Sequence, residues 1–196
     1  RQLIVGVKTL EKAGCDFIII GCNTVHYFHD QMQAAVKIPI INMISKTVKR
    51  VQERGFKKVA VLSTLSTNKL NIYQNEFQKV NIETIPITDA HQETITKVIS
   101  RGEAGTISKI DTHLLRSIIL DLTQAGAQAI VLGCTELPLA ISQKDTRVPL
   151  FNSSLIIAEE SLKESYGFVP KQENSLDPAL GVRILERSLF SPVRQF

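Results

Sequence analysis

No tryptophan occurs in this 196-residue sequence, and cysteine is limited to three positions, Cys15, Cys22 and Cys134. Three thiols without a Cys-x-x-Cys spacing exclude the disulfide framework of a small secreted domain, so a reducing cytoplasm is the expected compartment. The thiols are then free for chemistry. Apolar runs stop at four or five residues, against the roughly 18 needed to suggest a membrane span, and no signal pattern opens the chain. Neither sign of charge dominates: 23 Lys and Arg against 19 Asp and Glu leave a net +4. The densest basic cluster, Lys46, Lys49, Arg50, Arg54, Lys57 and Lys58, lies beside Val48 and Val51 and reads as the solvated face of a helix. It has neither interleaved aromatics nor a recognisable module, so no nucleic-acid partner and no membrane partner are expected.

The hydrophobic share of 43% is enough for a sizeable core. Its distribution is repetitive. Phe17-Ile18-Ile19-Ile20 runs into Gly21-Cys22-Asn23-Thr24, and Ala129-Ile130-Val131-Leu132 runs into Gly133-Cys134-Thr135-Glu136, 112 residues later. Each run follows an Ala-Gly pair, at 13 and 14 and at 125 and 126. The strand-like segments 38–42 and 148–152 share apolar-Pro-apolar-apolar-Asn at an offset of 110. A period this long indicates two related halves rather than a solenoid.

Between these marks, helical spacing alternates with short continuous apolar strands. Leu3, Ile4, Val7 and Leu10 predict a helix stopped at Gly14. The run 17–20 predicts a strand buried on both faces. A helix is expected after Cys22, with Val25, Phe28, Met32, Ala35 and Val36 inward and His26, His29, Asp30, Gln33 and Lys37 outward. Ser45 is expected to cap a helix reaching Arg54. A strand at 59–62 leads into a hydroxyl-rich turn at 63–68 and a helix through Leu70, Tyr73 and Phe77. Residues 82–87 read as extended, 93–100 as helical, Gly102 and Gly105 as loop brackets and 111–124 as a helix. Ser153 or Ser154 is expected to cap the helix through Leu155, Ala158 and Leu162. A last helix is expected at 179–190, packed through Val182, Leu185 and Leu189.

The pattern predicts an α/β fold with mainly parallel sheets flanked by helices, in two pseudo-symmetric halves. Residues 1–44 with 153–196 form the first expected half and 45–152 the second. Ligands of such sheets sit beyond the carboxyl ends of the strands, which is where both cysteines fall. The active site is expected in the cleft between the halves.

A thiol at a helix start has its thiolate favoured by the helix dipole and by free backbone N–H groups. Two such thiols flanking an amino acid can take the α-proton from one face and return one to the other, without metal or pyridoxal phosphate. Backbone N–H groups and the hydroxyls of Thr24 and Thr135 then stabilise the developing negative charge. Packing cysteines, a disulfide pair, and a metal site from Cys15, Cys22, His26 and His29 are the competing readings. Cys15 is assigned no role, His29 reads as solvated on the polar helix face, His91 and His113 read as ordinary helix-start residues, and His26 either tunes Cys22 or caps its turn.

Cys22-Asn23-Thr24-Val25-His26 and Gly133-Cys134-Thr135-Glu136 together resemble the two cysteine motifs of the aspartate/glutamate racemase family, with the aspartate branch the closer. Thr64, Thr67 and Tyr73-Gln74 resemble its Thr-x-x-Thr turn and Tyr-Gln helix. The resemblance covers residues 1 to about 165. It implies a cofactor-independent racemase of aspartate or glutamate that works as a homodimer. Cys22 and Cys134 would be the paired acid and base, and Asn23, Thr24, Thr64, Thr67 and Thr135 would hold the substrate. It also implies an opening strand and a glycine-rich loop that this sequence does not contain. A basic residue for the substrate side chain would fall at Glu103, with Arg101 the nearest substitute. Rival functions are a related cysteine-dependent enzyme, such as a hydantoin racemase, decarboxylase or maleate isomerase, and a non-catalytic binding fragment.

Overall fold

The strand Ala129–Gly133 is buried along its whole length, and much of the chain is layered around it. The computed structural model describes residues 1–166; the helix expected at 179–190 lies outside them. In chain order the elements are α1 (Gln2–Lys12), β1 (Ile18–Ile19), a 3-10 turn (Thr24–Phe28), α2 (His29–Gln33), β2 (Ile40–Ile41), α3 (Met43–Glu53), β3 (Lys58–Ser63), α4 (Leu65–Lys69), α5 (Ile72–Lys79), β4 (Glu83–Ile85), α6 (Asp89–Glu103), α7 (Lys109–Gln124), β5 (Ala129–Gly133), α8 (Leu137–Ala140), a second 3-10 turn (Gln143–Asp145), β6 (Leu150–Asn152) and α9 (Ser153–Tyr166). No helix among the described residues is long and apolar enough to cross a membrane.

All observed strand pairs are parallel, as the helix-strand alternation predicts. β1 and β2 make one small sheet, and the other four strands lie in the order β4-β3-β5-β6. Successive strand residues face opposite layers. Ala60, Leu62, Ile130 and Leu132 therefore pack with Ile95, Val98 and Ile99 of α6, Leu115 and Ile119 of α7 and Leu137 of α8. Val59, Val61, Ala129 and Val131 pack with Val48 and Val51 of α3, Tyr73 and Phe77 of α5 and Ile156 of α9. Because both faces are covered, β3 and β5 read as unbroken apolar runs. From β3 the chain moves outward to β4 and then returns to the other side of β3 as β5. The crevice at such a reversal opens beyond the carboxyl ends of β3 and β5, at Ser63 and Gly133.

The sequence repeat is also a repeat of strand register. Ile18 and Ile19 pair with Ile40 and Ile41, while Ile130 and Val131, 112 residues on, pair with Leu150 and Phe151, 110 residues on. A glutamine clamp, absent from the sequence reading, repeats with them. Gln33 Oε1 accepts the Ile40 N–H at 2.7 Å and Gln33 Nε2 donates to the Ile38 carbonyl at 3.0 Å. Gln143 makes the equivalent bonds to the Leu150 N–H at 2.8 Å and the Val148 carbonyl at 3.1 Å.

Several local expectations are corrected. Ile18 is buried as expected, but Ile19 is 44% exposed, so β1 is covered on one face only. The helix expected after Cys22 is instead a 3-10 turn followed by the short α2. Three residues per turn bring His26 inside and leave Phe28 exposed. His29 is half-buried, with Nε2 2.9 Å from the Ile40 carbonyl. Asn42, not Ser45, caps α3, accepting the Ile44 and Ser45 N–H groups. Asn152, not a serine, does the same for α9 at Ser154 and Leu155. In both cases the helix starts directly at the strand end, so the last strand residue is the one in capping position.

The turn at 63–68 contains the short α4, capped by Thr64. Gly102 lies inside α6 rather than in a loop, and only Gly105, at φ +67°, turns the chain. The basic cluster is only partly solvated. Lys46 pairs with Glu160 at 2.8 Å, Arg50 with Glu159 at 2.9 Å and Lys58 with Glu83 at 2.8 Å.

Candidate active site

Three of the seven residues singled out from sequence share one hydrogen-bonded group, with Asn23 beside Thr24 in the chain. Thr24 Oγ1 lies 3.1 Å from Thr64 Oγ1 and 2.7 Å from Thr67 Oγ1, and the Thr64 hydroxyl donates to Thr67 Oγ1 at 2.9 Å. Thr64 and Thr67 are placed by the β3 end and the first turn of α4, where Thr64 Oγ1 also accepts the Thr67 N–H. Asn23 is buried, and its Oδ1 accepts from the Tyr73 hydroxyl at 2.6 Å. Its Nδ2 is buried without a partner among the described residues, leaving a donor available. Burial keeps the Tyr73 phenol neutral by pushing its pKa well above the usual range.

His26 sets the backbone of the first cysteine. The Met43 N–H donates to His26 Nε2 at 3.1 Å, so the ring proton sits on Nδ1 and is donated to the Cys22 carbonyl at 2.8 Å. Both ring nitrogens are thereby occupied. Burial, with the neighbouring His29, holds the His26 pKa below its ordinary value. Of the two roles left open for His26, the structure shows the capping one: it ties the Cys22 turn to the start of α3. Cys22 itself is exposed, and all three cysteines are free thiols. Among the described residues, no three His, Cys, Asp or Glu side chains are grouped to hold a metal ion.

The remaining two residues, Cys134 and Thr135, form a second group with a side chain that the sequence reading did not count as a site residue. Cys134 Sγ donates to Glu136 Oε2 at 2.9 Å, and Thr135 Oγ1 donates to Glu136 Oε1 at 2.8 Å. The expectation of a dipole-activated thiolate is overturned for Cys134. Burial first, then the hydrogen bond to Glu136 and that carboxylate's charge, push its pKa up to about 12. Backbone N–H groups of Thr135 and Glu136 do reach the sulfur and favour the thiolate, but they are outweighed. The helix that follows, Leu137–Ala140, is four residues long and contributes little dipole. Burial alone would raise the Glu136 pKa, yet its bonds to Cys134 and Thr135 hold the carboxyl below the usual range. The proton therefore resides on sulfur and the charge on Glu136.

Two contacts join the groups. Ser63 and Gly133 are the last paired residues of β3 and β5, so Thr64 and Cys134 leave neighbouring strand ends side by side. Tyr73, which bonds Asn23 of the first motif, packs on Gly133 of the second: a Cβ at 133 would lie 2.9 Å from Tyr73 Cε2. Arg101 is unavailable as a substrate cation, because its guanidinium is bound to the buried Asp111, with Nε donating to Oδ1 at 2.6 Å.

Hydroxyl, amide and thiol groups at the switch point of a parallel sheet define an α/β protein whose polar site lies at its strand ends. The family model for Asp/Glu/hydantoin racemases matches residues 1–160, and the chain belongs to that family. It is 26% identical over 162 residues to the broad-specificity amino-acid racemase of Bacillus subtilis, covering 83% of this chain and 70% of the relative. The aspartate racemase of Picrophilus torridus superposes with a TM-score of 0.73 at 31% identity, covering 87% of this chain and 70% of that one. An aspartate racemase homologue from Pyrococcus horikoshii gives 0.74 at 29%, covering 83% and 72%.

Proposed function

We propose that this protein is an amino-acid racemase that interconverts D- and L-aspartate or D- and L-glutamate by two-base proton transfer between Cys22 and Cys134. The observation that carries the reading is the joining of both cysteine motifs at one switch point. Thr24 from the first motif bonds Thr64 and Thr67, which follow the end of β3 beside the β5 end at Cys134, and Asn23 bonds Tyr73, which packs on Gly133. Family membership and the likeness to aspartate racemases support the same reading. The two halves are read as 1–44 with 153–196 and 45–152, and the working unit as a cytoplasmic homodimer without nucleic-acid or membrane partners.

In one direction Cys22, as thiolate, removes the α-proton, and the Cys134 thiol delivers its proton to the opposite face of the α-carbon. Both thiols change state and the product is the mirror image. The reverse direction exchanges the roles. The substrate α-carboxylate gathers negative charge as the α-proton leaves, and donors fixed in advance lower that barrier. The Asn23 amide, with its unpartnered Nδ2, is the free donor proposed for it; Thr24, Thr64 and Thr67, and Thr135 on the Cys134 side, would turn their hydroxyls to it from the partners they now hold.

The test is α-proton exchange in deuterated water with each enantiomer of aspartate and glutamate, for the parent chain, Cys22→Ser and Cys134→Ser. Exchange is expected in the parent, and either substitution is expected to slow racemisation at least about 100-fold, the usual scale for losing a positioned acid or base. Absence of exchange with all four substrates in the parent chain sinks the reading.

A further inference from the structure

Glu136 is an ionised, half-buried carboxylate at the strand-end crevice, and it is absent from the ion pairs of the described residues. The nearest candidate cation in sequence on α6, Arg101, is spent on Asp111. Its two bonds, from the Cys134 thiol and the Thr135 hydroxyl, use one acceptor site on each oxygen, whereas a carboxylate offers about four. Unused acceptor capacity on a charged group beside a protonated thiol leaves it able to take a cationic or hydrogen-bonding ligand.

The fold also makes room for this side chain. Gly102, in α6, lies so near that a Cβ there would stand 2.7 Å from Glu136 Cβ and 3.2 Å from its Cγ. Gly102 does not adopt a positive φ, so backbone conformation does not demand glycine. Clearance for Glu136 does. Glycine weakens a helix interior relative to alanine, and what this position gains is the approach of Glu136.

An amino acid whose α-carbon is presented to Cys134 Sγ carries its ammonium one bond from that carbon. The ammonium then necessarily lies within a few ångströms of the sulfur, within reach of a carboxylate bonded to the same sulfur. We propose that Glu136 is the counter-ion of the substrate α-ammonium, and that it exchanges its hydrogen bond from Cys134 Sγ for this ammonium, so that the Cys134 proton is released only when an amino acid is bound: to the α-carbon when Cys134 acts as the acid, and to solvent before it acts as the base. The release to solvent is balanced: the S–H bond breaks, the proton passes to water, and the ammonium charge takes over neutralisation of the carboxylate. Cys134 becomes the thiolate that the reverse direction needs. The other ionisable group facing the sulfur is the Tyr73 hydroxyl on α5, which is buried and neutral; α6 presents Gly102 at the contact, with Glu103 exposed.

This inference rests on the racemase reading for its substrate but is tested without it. Iodoacetamide alkylation of Cys134, followed by peptide mass spectrometry between pH 7 and 10, reads thiolate formation in the full chain. Glu136→Gln removes the charge at nearly constant shape and is expected to speed alkylation about tenfold, as for removal of one close like charge. Gly102→Ala keeps the carboxylate but displaces it, and is expected to move alkylation the same way.

The second arm mixes protein in weak buffer at pH 8 with aspartate or with succinate, which lacks the ammonium, while an indicator dye reports protons; glutamate and glutarate form the parallel pair. Net proton release is expected with the amino acid, none with the diacid, and none in Glu136→Gln. Alkylation unchanged in Glu136→Gln, or equal proton release with amino acid and diacid, overturns the inference. Expected results in both arms without α-proton exchange leave it standing and remove the racemase reading. Exchange with unchanged alkylation does the reverse.

Discussion

The two Gly-Cys steps occupy equivalent places in register-matched parallel strand pairs, yet their surroundings differ. Cys134 follows the central β5, is buried, and keeps its proton while donating a hydrogen bond to Glu136. Cys22 follows the two-residue β1 and is exposed, its turn pinned by His26. The same short pattern therefore produces two different thiols. What separates them is the number of layers packed around each strand, a property of neighbours far away in sequence.

The glycines before the cysteines offer the largest break in this comparison. A Cβ at Gly133 would meet Tyr73 Cε2 at 2.9 Å, Val61 Cγ1 at 3.1 Å and the Leu62 carbonyl at 3.3 Å, whereas one at Gly21 meets nothing within 4 Å. Gly133→Ala is expected to lower unfolding stability by about 1–3 kcal/mol through overpacking, and Gly21→Ala to change it by less than about 0.5 kcal/mol, both from urea titrations. Equal losses would show the two steps to be packed alike.

Tyr73→Phe removes the donor that ties the first motif to the second and leaves Asn23 Oδ1 buried without that bond. A loss of about 1–3 kcal/mol is expected. Because Asn23 is part of the proposed carboxylate site, substrate KM should rise as well; a variant of parental stability and KM would separate the two motifs energetically.

The glutamine clamps should differ by less. Gln33→Ala and Gln143→Ala each delete the bonds that hold the entry to β2 or β6. Net losses of about 1 kcal/mol are expected, larger at the half-buried Gln33 than at the exposed Gln143.

The smallest effect concerns pH. His26 is neutral in the fold with its pKa held below the ordinary value, so between the two values the unfolded chain binds the extra proton. Its contribution to stability is present above about pH 6.5 and is lost as pH falls through that value toward the folded pKa. The thermal midpoint of the parent should fall more steeply from pH 7 to 5 than that of His26→Gln. Parallel profiles would show that Cys22's turn does not depend on the neutral ring.

Most of the frame was legible in sequence. Continuous apolar runs marked β3 and β5 because both faces of each are covered, and the 110 and 112 offsets were the strand register itself. Asn23, Thr24, Thr64 and Thr67 were identifiable as candidates through the motif resemblance, while their mutual hydrogen bonds came only from the structure. Caps were misplaced by one to three residues because Asn42 and Asn152 serve as strand end and helix cap at once. Gln33 and Gln143 went unseen since a glutamine in a polar stretch carries no periodic signal. Gly102 read as a loop residue because its partner, Glu136, is 34 positions away.

The alternation of helix and parallel strand, the doubling of the pattern and the placement of a thiol at each of two strand ends follow from the residues in chain order, since these depend on local periodicity and short motifs. The state of those thiols was set by packing in three dimensions. Burial and the charge of a neighbouring carboxylate act through space, so Cys134 became a held proton donor and Cys22 an open thiol although one sequence pattern precedes both.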